Sequence, residues 1–174
     1  YIVAKEAGIS TKIIRDSLKS FGGVSRRLEF KGDLKINEKK IKLLDDYGHH
    51  PTEISATIEA IKSSYKSKKI NMIFQPHRYT RSSILFDDFI ECLCLLDKVI
   101  ILDIYSAGEQ NVEGISSYDF VNSLIKKGST AFFAKNLEEI SRILEAEIKN
   151  NEILITQGAG NVIDISNALL AKYK

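Results

Sequence analysis

Two short segments of the chain carry most of the side chains that could do chemistry. Residues 45 to 54 read DDYGHHPTEI, and residues 75 to 81 read QPHRYTR. Together they hold all 3 histidines and both prolines of the sequence, and each follows a run of apolar residues. Carboxylates, a phenol, imidazoles and guanidinium groups at this density suit acid–base catalysis, metal binding or the binding of an anion.

Pro51 indicates that a helix begins inside the first of these segments. Proline is favoured in the first turn of a helix, where its missing N–H costs nothing, and it pushes His50 into an extended conformation. The free N–H groups and the positive dipole end of such a helix attract a phosphate or a carboxylate. The simpler alternative is that Asp46 or His50 only caps this helix.

The second segment contributes a pair of arginines. Arg78 and Arg81 are three residues apart, so a helical turn would place both on one side. Two guanidinium groups can hold a carboxylate or a phosphate through paired hydrogen bonds, which a single lysine cannot do. The alternative is a pair of surface arginines without a ligand.

Other chemical arrangements are weaker. Gly158 and Gly160 lie between an apolar run and a helical pattern, where they form either a ligand cradle or only a tight turn. Ile163 stands where a dinucleotide-binding fingerprint would have its third glycine. Three histidines could ligate zinc, but the adjacent His49 and His50 can rarely reach one ion, so we expect no metal site in this chain. The Gly-x-Ser-x-Gly elbow of many serine hydrolases does not occur in the sequence.

Apolar runs alternate with amphipathic patterns from residue 41 onward. The runs predict strands at 41–44, 70–74, 99–104, 131–133 and 153–156, and the patterns predict helices at 52–65, 83–96, 118–127, 137–149 and 162–173. This alternation is typical of an α/β fold in which helices cover both faces of a mainly parallel, mixed sheet. Ligands of such sheets bind outside the carboxyl ends of the strands, and both chemical segments fall there.

The beginning of the chain has a different pattern. Residues 2–21 have helical spacing, with Ser10 placed to cap a helix. Residues 27–36 alternate polar and apolar side chains around Gly32, which predicts a small hairpin or an edge strand. We expect a domain boundary near residues 24–28. The chain starts without methionine inside a helical pattern, which indicates a piece of a longer protein.

Composition excludes several classes of function. With 174 residues, of which 44% are hydrophobic, the chain can bury a core of its own. Its net charge is only +2 and its lysines are scattered, so we expect no nucleic-acid partner. Its apolar runs are too short to span a bilayer. Cys92 and Cys94 lie two residues apart in a helical pattern, so their side chains point to different faces and cannot easily form a disulfide. We therefore expect a soluble protein of the reducing cytoplasm.

Five segments, taken together and in this order, resemble the Mur ligase family. They are RRLEFKG at 26–32, DDYGHHPTEI at 45–54, FQPHRYTR at 74–81, IYSAGE at 104–109 and QGAGN at 157–161. Within that family the pairing of DYGHHP with QPHRYTR resembles the branch that joins L-alanine to UDP-N-acetylmuramate. The recycling branch, which attaches a whole tripeptide to the same sugar, is the nearest competitor.

The resemblance implies a Rossmann-like C-terminal domain at residues 27–174, preceded at residues 1–26 by the helical tail of a central ATP-binding domain. Such ligases use ATP and Mg²⁺ to activate the muramoyl carboxylate as an acyl phosphate, which the amine of the amino acid attacks in peptidoglycan biosynthesis. The magnesium ligands are expected in the central domain. No phosphate-binding Gly-x-x-x-x-Gly-Lys-Ser/Thr loop occurs in this sequence, so this chain alone is not expected to catalyse ligation. A nucleotide- or anion-binding module without chemistry of its own is the alternative.

The resemblance also implies roles for particular residues. Contacts with ATP are expected from Arg27, Asp46 and Tyr47. The carboxylate of the amino acid is expected to be held by His49, Arg78 and Arg81. Supporting positions behind these contacts are expected at His50, His77, Gly108, Gly158 and Gly160. These expectations assign binding and orientation, rather than proton transfer, to this domain.

Overall fold

The computed structural model describes residues 1–112 and 114–174. Within them the chain forms one six-stranded sheet and eight helices. The strands are β1 (Glu29–Ile36), β2 (Lys39–Asp46), β3 (Ile70–Phe74), β4 (Lys98–Ile101), β5 (Thr130–Phe133) and β6 (Ile153–Gln157). The helices are α1 (Ile2–Glu6), α2 (Thr11–Ser20), α3 (Pro51–Ser64), α4 (Tyr79–Ile84), α5 (Phe86–Leu93), α6 (Ser117–Lys126), α7 (Leu137–Glu147) and α8 (Val162–Tyr173).

The sheet is mixed and mainly parallel, as the alternating pattern predicts. Its strand order is β1-β2-β6-β3-β4-β5, in which β1 pairs antiparallel with β2 and the remaining neighbours are parallel. Asp46 pairs with Gln157, and Phe74 pairs with both Gln157 and Ile101. The carboxyl ends of β2, β6, β3 and β4 therefore meet at one edge of the sheet.

Helices cover both faces of this sheet. Successive residues of a strand point to opposite faces, so Leu44 joins one core cluster and Leu43 joins the other. Side chains of α3, α5 and α6 complete the first cluster, and side chains of α7 and α8 complete the second. Burial on both faces explains why β3 and β6 consist of fully buried residues.

The structure differs from the sequence-based prediction mainly near turns. Gly32 does not form a hairpin turn; it lies inside β1 at a register shift, with a φ of +151°. The turn of the hairpin lies instead at Asn37 and Glu38, which both have positive φ. The edge-strand interpretation of this region is confirmed. The helix predicted at 83–96 is two shorter helices that meet at Leu85.

In the part of the chain that the structure describes, the first two helices carry exposed apolar side chains. Ile2 is 75% exposed, Val3 82%, Ile13 58% and Leu18 57%, and Phe21 just after α2 is 60% exposed. Ser10 caps α2 as predicted, because its hydroxyl accepts a hydrogen bond from the backbone N–H of Ile13 at 3.4 Å. The helix predicted at 2–21 is interrupted between α1 and α2.

Two smaller features complete the description. Among the described residues, no helix is both long and apolar enough to cross a membrane. Cys92 and Cys94 are both free thiols, as their spacing predicts. Burial raises the pKa of Cys92 to about 12, so this thiol stays protonated and packs as a small apolar group.

Candidate functional site

A row of aromatic rings runs along the carboxyl edge of the sheet. The ring centroids of Tyr47 and His49 are 5.4 Å apart, and those of His49 and His77 are 5.7 Å apart. His77 in turn stacks on Tyr105, with centroids 5.3 Å apart and an interplanar angle of 18°. The two segments that the sequence singles out, which follow β2 and β3, are therefore neighbours in space.

Asp46 holds the loop that carries Tyr47 and His49. Its side chain is almost fully buried, with 5% of the residue exposed. Its Oδ1 accepts hydrogen bonds from the backbone N–H of Gly48 at 2.8 Å, Gln157 Nε2 at 2.8 Å and Thr57 Oγ1 at 3.3 Å. Its Oδ2 accepts one from the backbone N–H of Leu28 at 2.8 Å. Both oxygens of this carboxylate are thus occupied by the protein itself.

The two arginines that precede β1 have different surroundings. Arg26 donates from Nε to Asp45 Oδ2 at 3.2 Å and from Nη2 to the carbonyl of Gly158 at 2.6 Å. The side chain of Arg27 is 55% exposed, and its guanidinium lies 5.6 Å from the ring centroid of Tyr47. Arg26 therefore links the ends of β2 and β6, whereas Arg27 remains accessible to a ligand.

His50 is the N-cap of α3, whose first residue is Pro51, as the sequence predicts. Its backbone is extended, and its Nδ1 accepts a hydrogen bond from the N–H of Thr52 at 3.3 Å. Glu53 Oε2 in return accepts the backbone N–H of His50 at 3.1 Å and that of His49 at 2.9 Å. This reciprocal arrangement is a capping box. His50 therefore caps α3, and Glu53 ties His49 to the same helix end.

Arg78 and Arg81 do not share a helical face. Arg78 precedes α4 and has a φ of +72°, so only Arg81 lies within the helix. Arg78 Nη1 lies 3.4 Å from Glu109 Oε1. Arg81 Nη1 instead contacts His77, at 3.2 Å from its carbonyl oxygen and 3.3 Å from Nδ1. The predicted pair is therefore held by two different partners.

Electrostatics around His77 favour its neutral form. Burial of the ring, followed by the positive guanidinium of Arg81, lowers the pKa of His77 below its ordinary value of 6.5. His49 and Arg78 act in the same direction, while Glu109 opposes them. The edge thus combines a neutral imidazole with positively charged side chains, which is an environment that suits a carboxylate or a phosphate.

The glycine turn after β6 is packed against the protein. A Cβ on Gly158, which has a φ of +143°, would lie 2.8 Å from the carbonyl oxygen of Gln75. A Cβ on Gly160 would lie 2.4 Å from Gln75 Oε1 and 2.9 Å from Tyr105 Cγ. These distances explain both glycines by the close approach of neighbouring loops. Gly108 differs, because a Cβ there would meet no described atom within 4 Å.

Tyr105 and Glu109 lie in the segment IYSAGE, and neither residue was predicted from the sequence to have a role. Both follow β4, so their place at a strand end was the available signal. Tyr105 supports His77 by stacking, and Glu109 contacts Thr80 and Arg78. Within the described residues, no group of three His, Cys, Asp or Glu side chains is arranged to hold a metal ion.

Fold and edge together define the class of the molecule, a Rossmann-like α/β domain whose strand ends carry a cluster of cationic and aromatic side chains. A family model described as "Mur ligase, glutamate ligase domain" matches residues 26–160. The chain belongs to this family, and it corresponds to the C-terminal domain of Mur ligases.

Individual relatives agree with this assignment. The UDP-N-acetylmuramate–L-alanine ligase of Ruthia magnifica is 41% identical over 97% of this chain. The solved UDP-N-acetylmuramate-alanine ligase of Thermotoga maritima matches 98% of this chain with a TM-score of 0.77 and 26% identity. A murein peptide ligase of Psychrobacter arcticus, at 20% identity and a TM-score of 0.67 over 97% of this chain, shares the fold. The chain spans 36%, 35% and 34% of the lengths of these proteins, respectively.

Proposed function

We propose that this chain is the C-terminal domain of an ATP-dependent amide ligase that joins L-alanine to UDP-N-acetylmuramate. The observation that supports it most directly is the meeting of Arg81, His77 and His49 at the carboxyl edge of the sheet. In this role the full-length protein acts in peptidoglycan biosynthesis in the cytoplasm, and so contributes to cell shape and division.

In this proposal the amino acid binds beside Arg81. A guanidinium group holds a carboxylate through directed hydrogen bonds, and Arg81 lies within reach of the exposed edge, next to the rings of His77 and His49. Arg78 lies on the same loop, where its guanidinium is paired with Glu109. Binding the carboxylate in one orientation fixes where the amine of L-alanine points, so the contribution of this domain is proximity and orientation.

The nucleotide is proposed to bind beside Tyr47. Tyr47 is 36% exposed, and the guanidinium groups of Arg26 and Arg27 lie 5.0 Å and 5.6 Å from the centroid of its ring. An accessible aromatic ring next to positive charge fits a nucleotide, which offers a base for stacking and phosphates for pairing. When bound, ATP supplies the phosphoryl group that activates the muramoyl carboxylate. Direct contact between Asp46 and ATP stays a prediction. In this structure four hydrogen-bond donors of the protein already occupy the two carboxylate oxygens of Asp46.

Residues 1–26 are proposed to belong to the central domain of the full-length protein. The exposed apolar side chains of α1 and α2, among them Ile13 and Leu18, support this division, because packing against another domain would bury them. The magnesium ligands are proposed to lie in that central domain. The ligands of the complete enzyme are then ATP, UDP-N-acetylmuramate and L-alanine.

Ligation by the full-length protein tests this function. The protein is incubated with ATP, magnesium, UDP-N-acetylmuramate and one acceptor, either L-alanine or the tripeptide of the recycling reaction, and the product is identified by mass spectrometry. We expect the L-alanine adduct together with release of phosphate. Preference for the tripeptide would assign the protein to the recycling branch. Nucleotide binding without ligation of either acceptor would leave only a binding module.

A further inference from the structure

Glu109 reaches from the loop after β4 to the loop after β3. Its Oε2 accepts the backbone N–H of Thr80 at 3.1 Å, and its Oε1 accepts the hydroxyl of Thr80 at 2.9 Å. The same Oε1 lies 3.4 Å from Nη1 of Arg78. The backbone N–H of Thr80 is the largest cause that lowers the pKa of the Glu109 carboxyl, so this group is an anion at neutral pH.

Glu109 takes the place of an N-cap for α4. The first N–H groups of a helix have no acceptor inside the helix. Usually the side chain of the residue just before the helix accepts a hydrogen bond from one of them. That residue here is Arg78, and in the part of the chain that the structure describes its side chain makes no such hydrogen bond. A carboxylate at this end of the helix also interacts favourably with the helix dipole. Glu109 thus anchors the start of α4 from another loop.

Backbone contacts join the same two loops. The N–H of Tyr105 donates to the carbonyl of Pro76 at 2.8 Å, and the N–H of Arg78 donates to the carbonyl of Tyr105 at 2.8 Å. His77 and Tyr105 thereby form an isolated parallel bridge beyond the ends of β3 and β4. This bridge aligns the loops, while Glu109 ties down the turn at Arg78, whose φ of +72° is unusual for a residue with a side chain.

The contact with Glu109 also makes the two arginines unequal. Arg78 faces a carboxylate, whereas the hydrogen-bond partners of the Arg81 guanidinium are the carbonyl and the Nδ1 of His77. The pKa of His77 is lowered, so this imidazole does not add a competing positive charge at neutral pH. Arg81 therefore offers its charge to an incoming anion, while the charge of Arg78 is already balanced by the protein.

We propose that Glu109 is a positioning residue of the amino-acid site, which fixes residues 78–81 and balances Arg78 so that Arg81 receives the substrate carboxylate. This inference rests on the proposed function. Glu109 itself touches no reacting atom in this scheme. It acts by holding the geometry and the charge of the two arginines.

Kinetics of the full-length protein test this role. Glu109→Ala removes the cap and the counter-charge, so we expect the KM for L-alanine to rise about tenfold. The KM for ATP should change by less than about twofold, because Tyr47 and Arg27 lie on other loops. Glu109→Gln, which keeps one acceptor oxygen, should show a smaller rise. Glu138→Gln, which removes an exposed partner of Arg142 on α7, is the matched control and should leave both values unchanged.

A structural readout separates this inference from the proposed function. Hydrogen exchange of the Thr80 amide in the full-length protein should become faster in Glu109→Ala, since its acceptor is gone. If the wild type ligates L-alanine and Glu109→Ala keeps its KM, the inference is overturned and the function stands. If the wild type ligates no L-alanine, the proposed function fails and the positioning role fails with it. Should Glu109→Ala not fold, Thr80→Val removes one contact alone, and an unchanged KM for L-alanine there and in Glu109→Gln would overturn the inference.

Discussion

Arg81 donates a hydrogen bond from Nη1 to Nδ1 of His77 across 3.3 Å. Because a guanidinium group is only a donor, Nδ1 must be the acceptor, which leaves the ring proton on Nε2. The same Nη1 lies 3.2 Å from the carbonyl oxygen of His77, and the ring stacks on Tyr105. The direction of Arg81 and the protonation state of His77 are therefore coupled.

This coupling predicts a dependence of amino-acid binding on pH. As the pH falls through the lowered pKa of His77, protonation removes the acceptor at Nδ1 and places a positive charge against Arg81, with Arg78 and His49 nearby. We expect the KM for L-alanine to rise in this acidic range, while the ionised Glu109 opposes the effect. The measurements are an NMR titration of His77 and the pH profile of KM for L-alanine.

Stability should respond to the same group. The unfolded chain binds a proton to His77 near pH 6.5, before the folded chain does, so the free energy of unfolding falls as the pH decreases from 6.5 toward the folded pKa. The variant His77→Asn offers an acceptor near the position of Nδ1 and has no charge to gain. It should flatten both profiles. An unaltered acidic rise of KM in that variant would assign the effect to another group.

Gly160→Ala should disturb the support of His77 more than Gly108→Ala. A Cβ at Gly160 would collide with Gln75 Oε1 and with Tyr105, so the ring that stacks on His77 has to move. We expect a loss of about 1–3 kcal/mol in the free energy of unfolding, as for other overpacked sites, and weaker binding of L-alanine. At Gly108 the space is open, and the cost comes from its φ of +85° alone. Urea denaturation and the KM for L-alanine measure the two effects, and equal kinetic effects of the two variants would contradict the prediction.

The hydrophobic periodicity predicted which segments form strands and helices better than it predicted where each one ends. The bounds of β3 and α8 agree with the predicted ranges 70–74 and 162–173. The strand predicted at 99–104 is too long, since β4 ends at Ile101. Leu102 and Ile104, which suggested the longer strand, are buried but lie outside β4. An apolar pattern reports burial, and burial does not require strand pairing.

The segments that form the candidate site could be predicted to meet from sequence, but the contacts of their residues could not. The histidines, Arg78 and Arg81 lie in the segments that follow β2 and β3. In the structure these two segments are neighbours. Residue type alone did not show that Asp46 is buried beneath four donors. It also could not pair Glu109 with Thr80, which lies 29 positions earlier. Such long-range contacts depend on the strand order, which local patterns do not determine.

Asp46→Asn should lower the free energy of unfolding and also raise the KM for ATP. The amide keeps one acceptor oxygen, but its NH₂ group would face donors such as the N–H of Gly48 or Leu28. Leaving buried donors unpaired is expected to cost about 2 kcal/mol or more. Since this carboxylate holds the loop of Tyr47, we expect the KM for ATP to rise more than the KM for L-alanine. Asp33→Asn, at an exposed carboxylate that pairs with Lys42, is the control. An unchanged ATP requirement in Asp46→Asn would remove Asp46 from the nucleotide site.

Arg81→Ala should have the opposite bias. Its guanidinium offers the charge that Glu109 does not balance, so its loss should raise the KM for L-alanine by about tenfold to a hundredfold. The KM for ATP should stay nearly constant, because the proposed nucleotide site lies beside Tyr47, at the other end of the aromatic row. Arg81→Lys should recover little, since an ammonium group lacks the planar fork that contacts both His77 and a carboxylate. Steady-state kinetics of the full-length protein check this prediction, and equal increases of both KM values would show that Arg81 does not act through the carboxylate.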